Sequence, residues 1–256
     1  MEYIVFDLEF NQGFDKSLNK TVSNEKCPFE IIQIGAIKLD SNFNIIDTFN
    51  SFIKPQIYKN IHPFVGKMTK ITYEDVKDAP SFIQVYKEFK NFISSSNSVF
   101  CVWGSADLKE LYRNIKYYDL PSKSLPKLYI NIQHYASIYF KNPAGKSIGL
   151  QNAINILGIN QEKSYHDALN DSYYTAQVFM RISNSSIVPD TYNYTTVKPS
   201  RKKSPKKQID YDKLFNEFKK LLNRDITKEE KKIIDLAYKM GKTNQFLTDS
   251  ISYKKR

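Results

Sequence analysis

The stretch Tyr3-Ile4-Val5-Phe6-Asp7-Leu8-Glu9-Phe10-Asn11 constrains this chain more than any other. Tyr3 to Phe6 is an apolar run of β-branched and aromatic residues, the composition of a central strand. Asp7 and Glu9 follow at i, i+2, and residues two apart on a strand point to the same face. Such a strand carries two carboxylates out of the core side by side, where repulsion and desolvation both cost free energy. A cation between them removes the conflict, and hard divalent ions such as Mg²⁺ or Mn²⁺ prefer carboxylate oxygens. The same pair also fits a strand end running into a solvated acidic turn.

The rest of the chain supplies a sheet for this strand. Gln12 to Pro28 reads as a polar, irregular loop, and Phe29 to Leu39 as a second strand. Asp40-Ser41-Asn42 turns the chain into a third strand, Asn44 to Ile53, paired as a hairpin. Pro55 to Ile71 is a loop region, and Thr72 with Asp75 forms a capping box. Phe82, Val85, Tyr86, Phe89 and Phe92 recur at helical spacing. Ser98 to Trp103 is another buried strand, closed by Gly104, and a helix over Asp107 to Lys116 follows. A short strand at Leu128 to Ile130 leads to helices ending near Phe140, Leu157 and Ile182. Early strands followed by alternation with helices predict an α/β fold, a mixed sheet flanked by helices.

Charge separates the chain into parts. The net charge is +11. Residues 198–256 hold 18 Lys and Arg against 8 Asp and Glu, whereas residues 1–197 hold 20 against 19. The expected division is a globular domain over residues 1–182, a basic linker over 183–208 and a small basic α-helical appendage over 209–256, with helical patterns at Tyr211 to Leu222 and Thr227 to Met240. So localised a basicity points to a polyanion partner for the tail. Cys27 and Cys101 match no metal or redox spacing and suit a reducing cytoplasm. Neither a leader nor an apolar run near the ~20 residues of a membrane span is visible, so the expectation is a soluble, cytoplasmic protein.

Three further residues acquire meaning beside Asp7 and Glu9. Asp107 follows a strand and starts a helix, where an acid also simply complements the helix dipole. His166 and Asp171 lie about 140° apart on a continuous helix and address one cavity only if His166 sits at or before the first turn. Alone, each reads as a surface or structural residue. Together, Asp7-x-Glu9, Asp107 and His166-Asp167-Ala168-x-x-Asp171 resemble, in order and type, the DEDDh group of 3′→5′ exonucleases. FDLEFN, EIIQIGAIKLD, IHPFVGKMTKITYEDV and HDALNDSYYTAQVF resemble corresponding segments of that group. The wording FDLEF and WGSADLKEL is similar to its KapD-like and Eri-like members. The resemblance covers about residues 1–182.

The resemblance implies an RNase H-like fold and a metal-dependent 3′→5′ exonuclease acting on single-stranded ends. Asp7, Glu9, Asp107 and Asp171 would hold two Mg²⁺ or Mn²⁺ ions, spaced roughly 3.5–4 Å apart in such sites. His166, with an ordinary pKa near 6.5, would be the general base. Phe10, Met68 and Thr69 would lie against the terminal nucleotide. The group usually has Gly where this chain has Lys70, which puts that loop's backbone in question and offers a cation to a phosphate. His62 and His134 lack carboxylate or Cys partners in sequence and read as non-catalytic. The subgroup points to RNA in preference to DNA, with nucleoside 5′-monophosphates as products. A DNA proofreading or repair exonuclease is the alternative within the class; a catalytically silent nucleic-acid-binding adaptor is the alternative outside it. In the tail, Leu236-Ala237, Met240-Gly241 and Leu247 resemble a helix-turn-helix pattern, while a solvated basic extension explains the same composition.

Overall fold

The computed structural model describes residues 1–94, 97–143, 145–194 and 210–242. They fall in two compact units, Met1–Val197 and Lys198–Arg256. In chain order the first unit has β1 (Glu2–Asn11), β2 (Gly13–Asp15), β3 (Lys20–Val22), β4 (Glu30–Leu39), β5 (Ile45–Phe52), α1 (Pro63–Thr69), α2 (Tyr73–Val76), α3 (Phe82–Ile93) and β6 (Ser98–Val102). It continues with α4 (Ala106–Tyr117), β7 (Leu128–Asn131), α5 (Ile132–Tyr139), α6 (Leu150–Ile156), α7 (Ala168–Ile182) and β8 (Asp190–Thr191). One six-stranded sheet runs β5-β4-β1-β6-β7-β8. β5, β4 and β1 pair antiparallel, β6 and β7 extend the sheet parallel to β1, and β8 closes it antiparallel. This is the mixed, helix-flanked sheet that the element order predicts.

The period-2 alternation of β1 sorts its side chains between two layers. Ile4, Phe6 and Leu8 enter the core beneath α3 and α4, with Phe82, Val85, Phe89, Leu108 and Leu111. Val5 enters the opposite core with Ile37, Leu39, Tyr174, Val178 and Phe179, the layer of α7. Asp7 and Glu9 share the parity of Val5, so the acidic pair continues the row that faces α7. Strand β6 pairs with β1 only as far as Val5 opposite Cys101. Beyond that point β1 runs on beside β4 alone.

Three segments differ from the sequence expectations. Gln12 to Pro28 contains the β2–β3 hairpin, whose strands are too short to show a period. The Pro55–Ile71 region contains α1, with Pro63 in its first turn and His62 as N-cap, Nδ1 accepting the Phe64 N–H at 3.1 Å. Lys70 ends α1 with φ 64°, the left-handed conformation in which a family glycine is at ease and a lysine is not. Residues 183–194 do not begin the linker. Tyr192 N–H donates to the Lys127 carbonyl at 2.8 Å, and the rings of Tyr192 and Tyr194 stack on Tyr112 at 5.2 and 4.9 Å. Stacked tyrosines seat a segment whose Ser, Asn and Pro content reads as linker.

In the second unit, α8 (Tyr211–Leu222) and α9 (Lys228–Lys242) form a helical pair. Asp210 caps α8, and Thr227 with Glu230 makes a capping box at α9. Arg224 holds Glu230 at 2.6 Å. Residues 210–242 carry nine Lys and Arg against seven Asp and Glu. The excess charge therefore lies in the flanking segments rather than on the helices. The helix-turn-helix pattern expects a turn at Met240-Gly241, but α9 runs unbroken through both to Lys242, so the turn is absent there; Leu247 lies outside the described residues. Among the described residues no helix is long and apolar enough to cross a membrane.

Candidate active site

The site forms where β1 outruns β6. Leu8 has no β6 partner there, and the backbone N–H groups of Leu8 and Asp107 draw the Asp107 carboxyl down against the effect of burial. Asp107 belongs to the first turn of α4 and is buried, so an acid from the α4 layer reaches the end of β1 from the face opposite α7. On the other face, Asp7 and Glu9 pair with Gly35 and Gln33 of β4. Gly35 has no side chain, and the start of α7 fills the space: a Cβ there would lie 2.1 Å from Leu169 N and 2.2 Å from Ala168 C. Ser172 locks the contact, its hydroxyl 2.7 Å from the Gly35 carbonyl.

The start of α7 settles the geometry of His166. The helix begins at Ala168 with Asp167 as N-cap, whose side chain accepts the Asn170 N–H at 3.0 Å. His166 therefore precedes the helix, with φ 61°, and its N–H donates to Asp171 Oδ2 at 3.2 Å. Leaving the helix early brings an exposed His166 and a half-buried Asp171 to one place despite their spacing. Ligand atoms of Glu9, His166 and Asp171 all lie within 4.8 Å of one another.

Electrostatics bind the remaining acids into the cluster. Burial, then the charges of Asp107, Glu9, Asp171 and Asp167, hold the Asp7 carboxyl well above the usual carboxylate range. Burial beside Asp171 and Asp107 pushes Glu9 up to about 8. Burial likewise pushes Asp107 up to about 7, against the pull of its two N–H donors. It pushes Asp171 up to about 6, the His166 N–H partly offsetting it. These are carboxyls short of positive charge. Asp171 Oδ1 is buried without a hydrogen-bond partner among the described residues, although buried polar atoms are ordinarily satisfied. An all-oxygen acidic set with an orphaned carboxylate oxygen suits Mg²⁺ or Mn²⁺.

Of the residues expected at the terminal nucleotide, Phe10 is partly buried and edge-on to Phe29 at 6.1 Å. Met68 is 37% exposed on α1. Thr69 differs: it is buried, and its hydroxyl donates to the Val65 carbonyl and accepts the Ile71 N–H. That hydroxyl helps close the end of α1 and keeps one acceptor lone pair. Gln33, Gly35, Asp167 and Ser172 form the contact between β4 and the start of α7 and are absent from the set predicted from sequence. A signal for the first two existed: a polar residue and a glycine two apart in the apolar run EIIQIGAIKL.

A sequence model of the exonuclease family, of the RNase T type, matches residues 4–179. The chain belongs to this exonuclease family. It is 28% identical over 209 residues to the PolC-type DNA polymerase III of Thermotoga maritima, covering 77% of this chain and 14% of that protein. It is 24% identical over 152 residues to the probable 3′-5′ exonuclease KapD of Bacillus subtilis, covering 59% and 71%. It is 27% identical over 161 residues to 3′-5′ exoribonuclease 1 of Rattus norvegicus, covering 60% and 46%. The chain thus spans about one seventh of the polymerase and less than half of the exoribonuclease. The fold is that of the nuclease domain of 3′hExo, a DEDDh family member solved with rAMP (TM-score 0.60, 23% identity, 71% of this chain and 90% of that one). The RNase H-like fold of this chain is thereby established.

Proposed function

We propose that this exonuclease hydrolyses phosphodiester bonds from the 3′ end of single strands, RNA in preference to DNA, releasing nucleoside 5′-monophosphates. The convergence of Glu9, His166 and Asp171 within 4.8 Å, beside Asp7 and Asp107, carries the reading. Asp7, Glu9, Asp107 and Asp171 would hold two divalent cations, Mg²⁺ or Mn²⁺. Bound there, the cations supply charge neutralisation at the phosphoryl oxygens and a lowered pKa for water. His166, the exposed member of the cluster, takes the proton of the attacking water on a ring nitrogen. Holding that imidazole outside the helix, above the acids, is the work of the α7 cap. Phe10 and Met68 offer apolar surface to the last nucleotide.

The RNA preference draws on the likeness to 3′-5′ exoribonuclease 1. The longer match to a PolC-type DNA polymerase favours a second reading, a DNA proofreading or repair exonuclease. The tail adds phosphate contacts: residues 198–209 hold six Lys and Arg and no acid, a polyanion-binding composition. Two free, buried cysteines suit a reducing cytoplasm. The test is a 5′-labelled single strand of RNA or DNA with Mg²⁺ or Mn²⁺, wild type against Asp7→Asn. A ladder shortening from the 3′ end, absent in the variant, is expected. Full activity in Asp7→Asn, or internal cuts alone, would sink the proposal, and the two substrate arms decide the sugar.

A further inference from the structure

Gln33 faces Glu9 across the β1–β4 pair and is fully buried between Ile32 and Ile34. A buried amide costs free energy unless it is bonded, and a valine would serve the sheet equally well. Gln33 spends its whole side chain on three partners. Nε2 donates to Asp167 Oδ2 at 2.9 Å and to Asn50 Oδ1 at 3.0 Å, and Oε1 accepts the Ala168 N–H at 3.3 Å. Two of the three bonds end on the first residues of α7. Asp167 Oδ1 is meanwhile engaged in capping that helix. His166 stands one residue before this cap and Asp171 four residues after it.

We infer that Gln33 is a positioning residue: its carboxamide fixes the N-cap of α7 in register, so that His166 and Asp171 both reach Glu9. It also gives the Asp167 carboxylate a partner of its own, which keeps a fifth acid from competing for the ligand positions. The inference rests on the reading of the site given under Proposed function.

Two variants separate positioning from simple packing. Gln33→Glu sets a carboxylate against Asp167. Adding Asp167→Asn restores the bond with its polarity reversed, since the carboxamide introduced at position 167 can donate to the carboxylate introduced at position 33 and still cap the helix. Mn²⁺ binding by calorimetry, kcat and KM on a single-stranded oligonucleotide, and Tm are measured for each. Gln33→Glu should lower Mn²⁺ affinity and kcat by roughly tenfold to a hundredfold, as lost support of metal ligands does. KM should change by less than about threefold, and the double variant should return to within about fivefold of wild type. Wild-type affinity and kcat in Gln33→Glu, or a folded double variant as impaired as the single one, would overturn the inference. Should Gln33→Glu not fold, the double variant decides: a folded, active, Mn²⁺-binding protein supports it and anything less overturns it. A wild-type protein that binds no Mn²⁺ would instead defeat the proposed metal site.

Discussion

Leu169 N stands where a side chain on Gly35 would have to go, 2.1 Å from the position of its Cβ. Asp7 is the residue paired with that glycine across the sheet, so the closest approach of α7 to β4 falls beside the acid at the centre of the cluster. Gly35→Ala must push the start of α7 outward. Overpacking of this kind costs about 1–3 kcal/mol, and a displacement of about 1 Å costs catalysis about a hundredfold. Thermal denaturation and kcat/KM check both. A variant with wild-type Tm and turnover would show that α7 is seated by something other than this contact.

His166→Ala should leave Mn²⁺ affinity and oligonucleotide KM close to wild type and lower kcat by about 10²–10⁴, the usual yield of general base catalysis. Single-turnover cleavage with saturating metal measures it. Loss of metal binding instead would make the imidazole a ligand, as its place among Glu9 and Asp171 also allows.

The raised carboxyls predict a stability that depends on pH and on metal. Glu9, Asp107 and Asp171, at about 8, 7 and 6, bind their protons more tightly folded than unfolded. Each favours the fold fully below the ordinary carboxyl pKa of about 4, and that contribution is lost as pH rises through about 6 to 8. Metal-free protein should therefore melt lower at about pH 8.5 than at about pH 5, unless Mg²⁺ or Mn²⁺ is present to replace the protons. Scanning calorimetry with chelator and with metal tests this. Parallel pH curves in the two conditions would argue against cations at these acids.

Truncation after Tyr194 keeps the tyrosine stack on Tyr112 and removes the basic segment and the helical pair. The expected result is a higher KM for long substrates, a shallower salt dependence and unchanged dinucleotide cleavage. Truncation at Ser183 should instead also lower Tm, because β8 and both tyrosines leave the body. Identical salt dependence with and without the tail would remove it from substrate binding.

Most of the sheet was legible because β1, β4 and β6 are long apolar runs that few other structures accommodate. The acids Asp7, Glu9, Asp107 and Asp171 were legible as a set through their likeness to a family. What supports them was not. Gln33 and Asp167 act through bonds spanning 134 residues, which no local pattern records. Lys70 shows the reverse case: the departure from glycine flagged a left-handed position that the backbone does adopt. Helix α1 stayed hidden because a seven-residue helix opened by proline shows too little period.

The order in which the chain is made gives the site a history. Within its unit β1 precedes every other element in the chain, while α7, which brings His166 and Asp171, ends only at Ile182. A nascent chain thus displays Asp7 and Glu9 for most of its elongation without the groups that would arm them. Strand pairing can proceed early, but assembly of the site must wait until the final large helix of the unit docks over Gly35. The acidic site in this way stays incomplete until the unit that holds it is almost fully made.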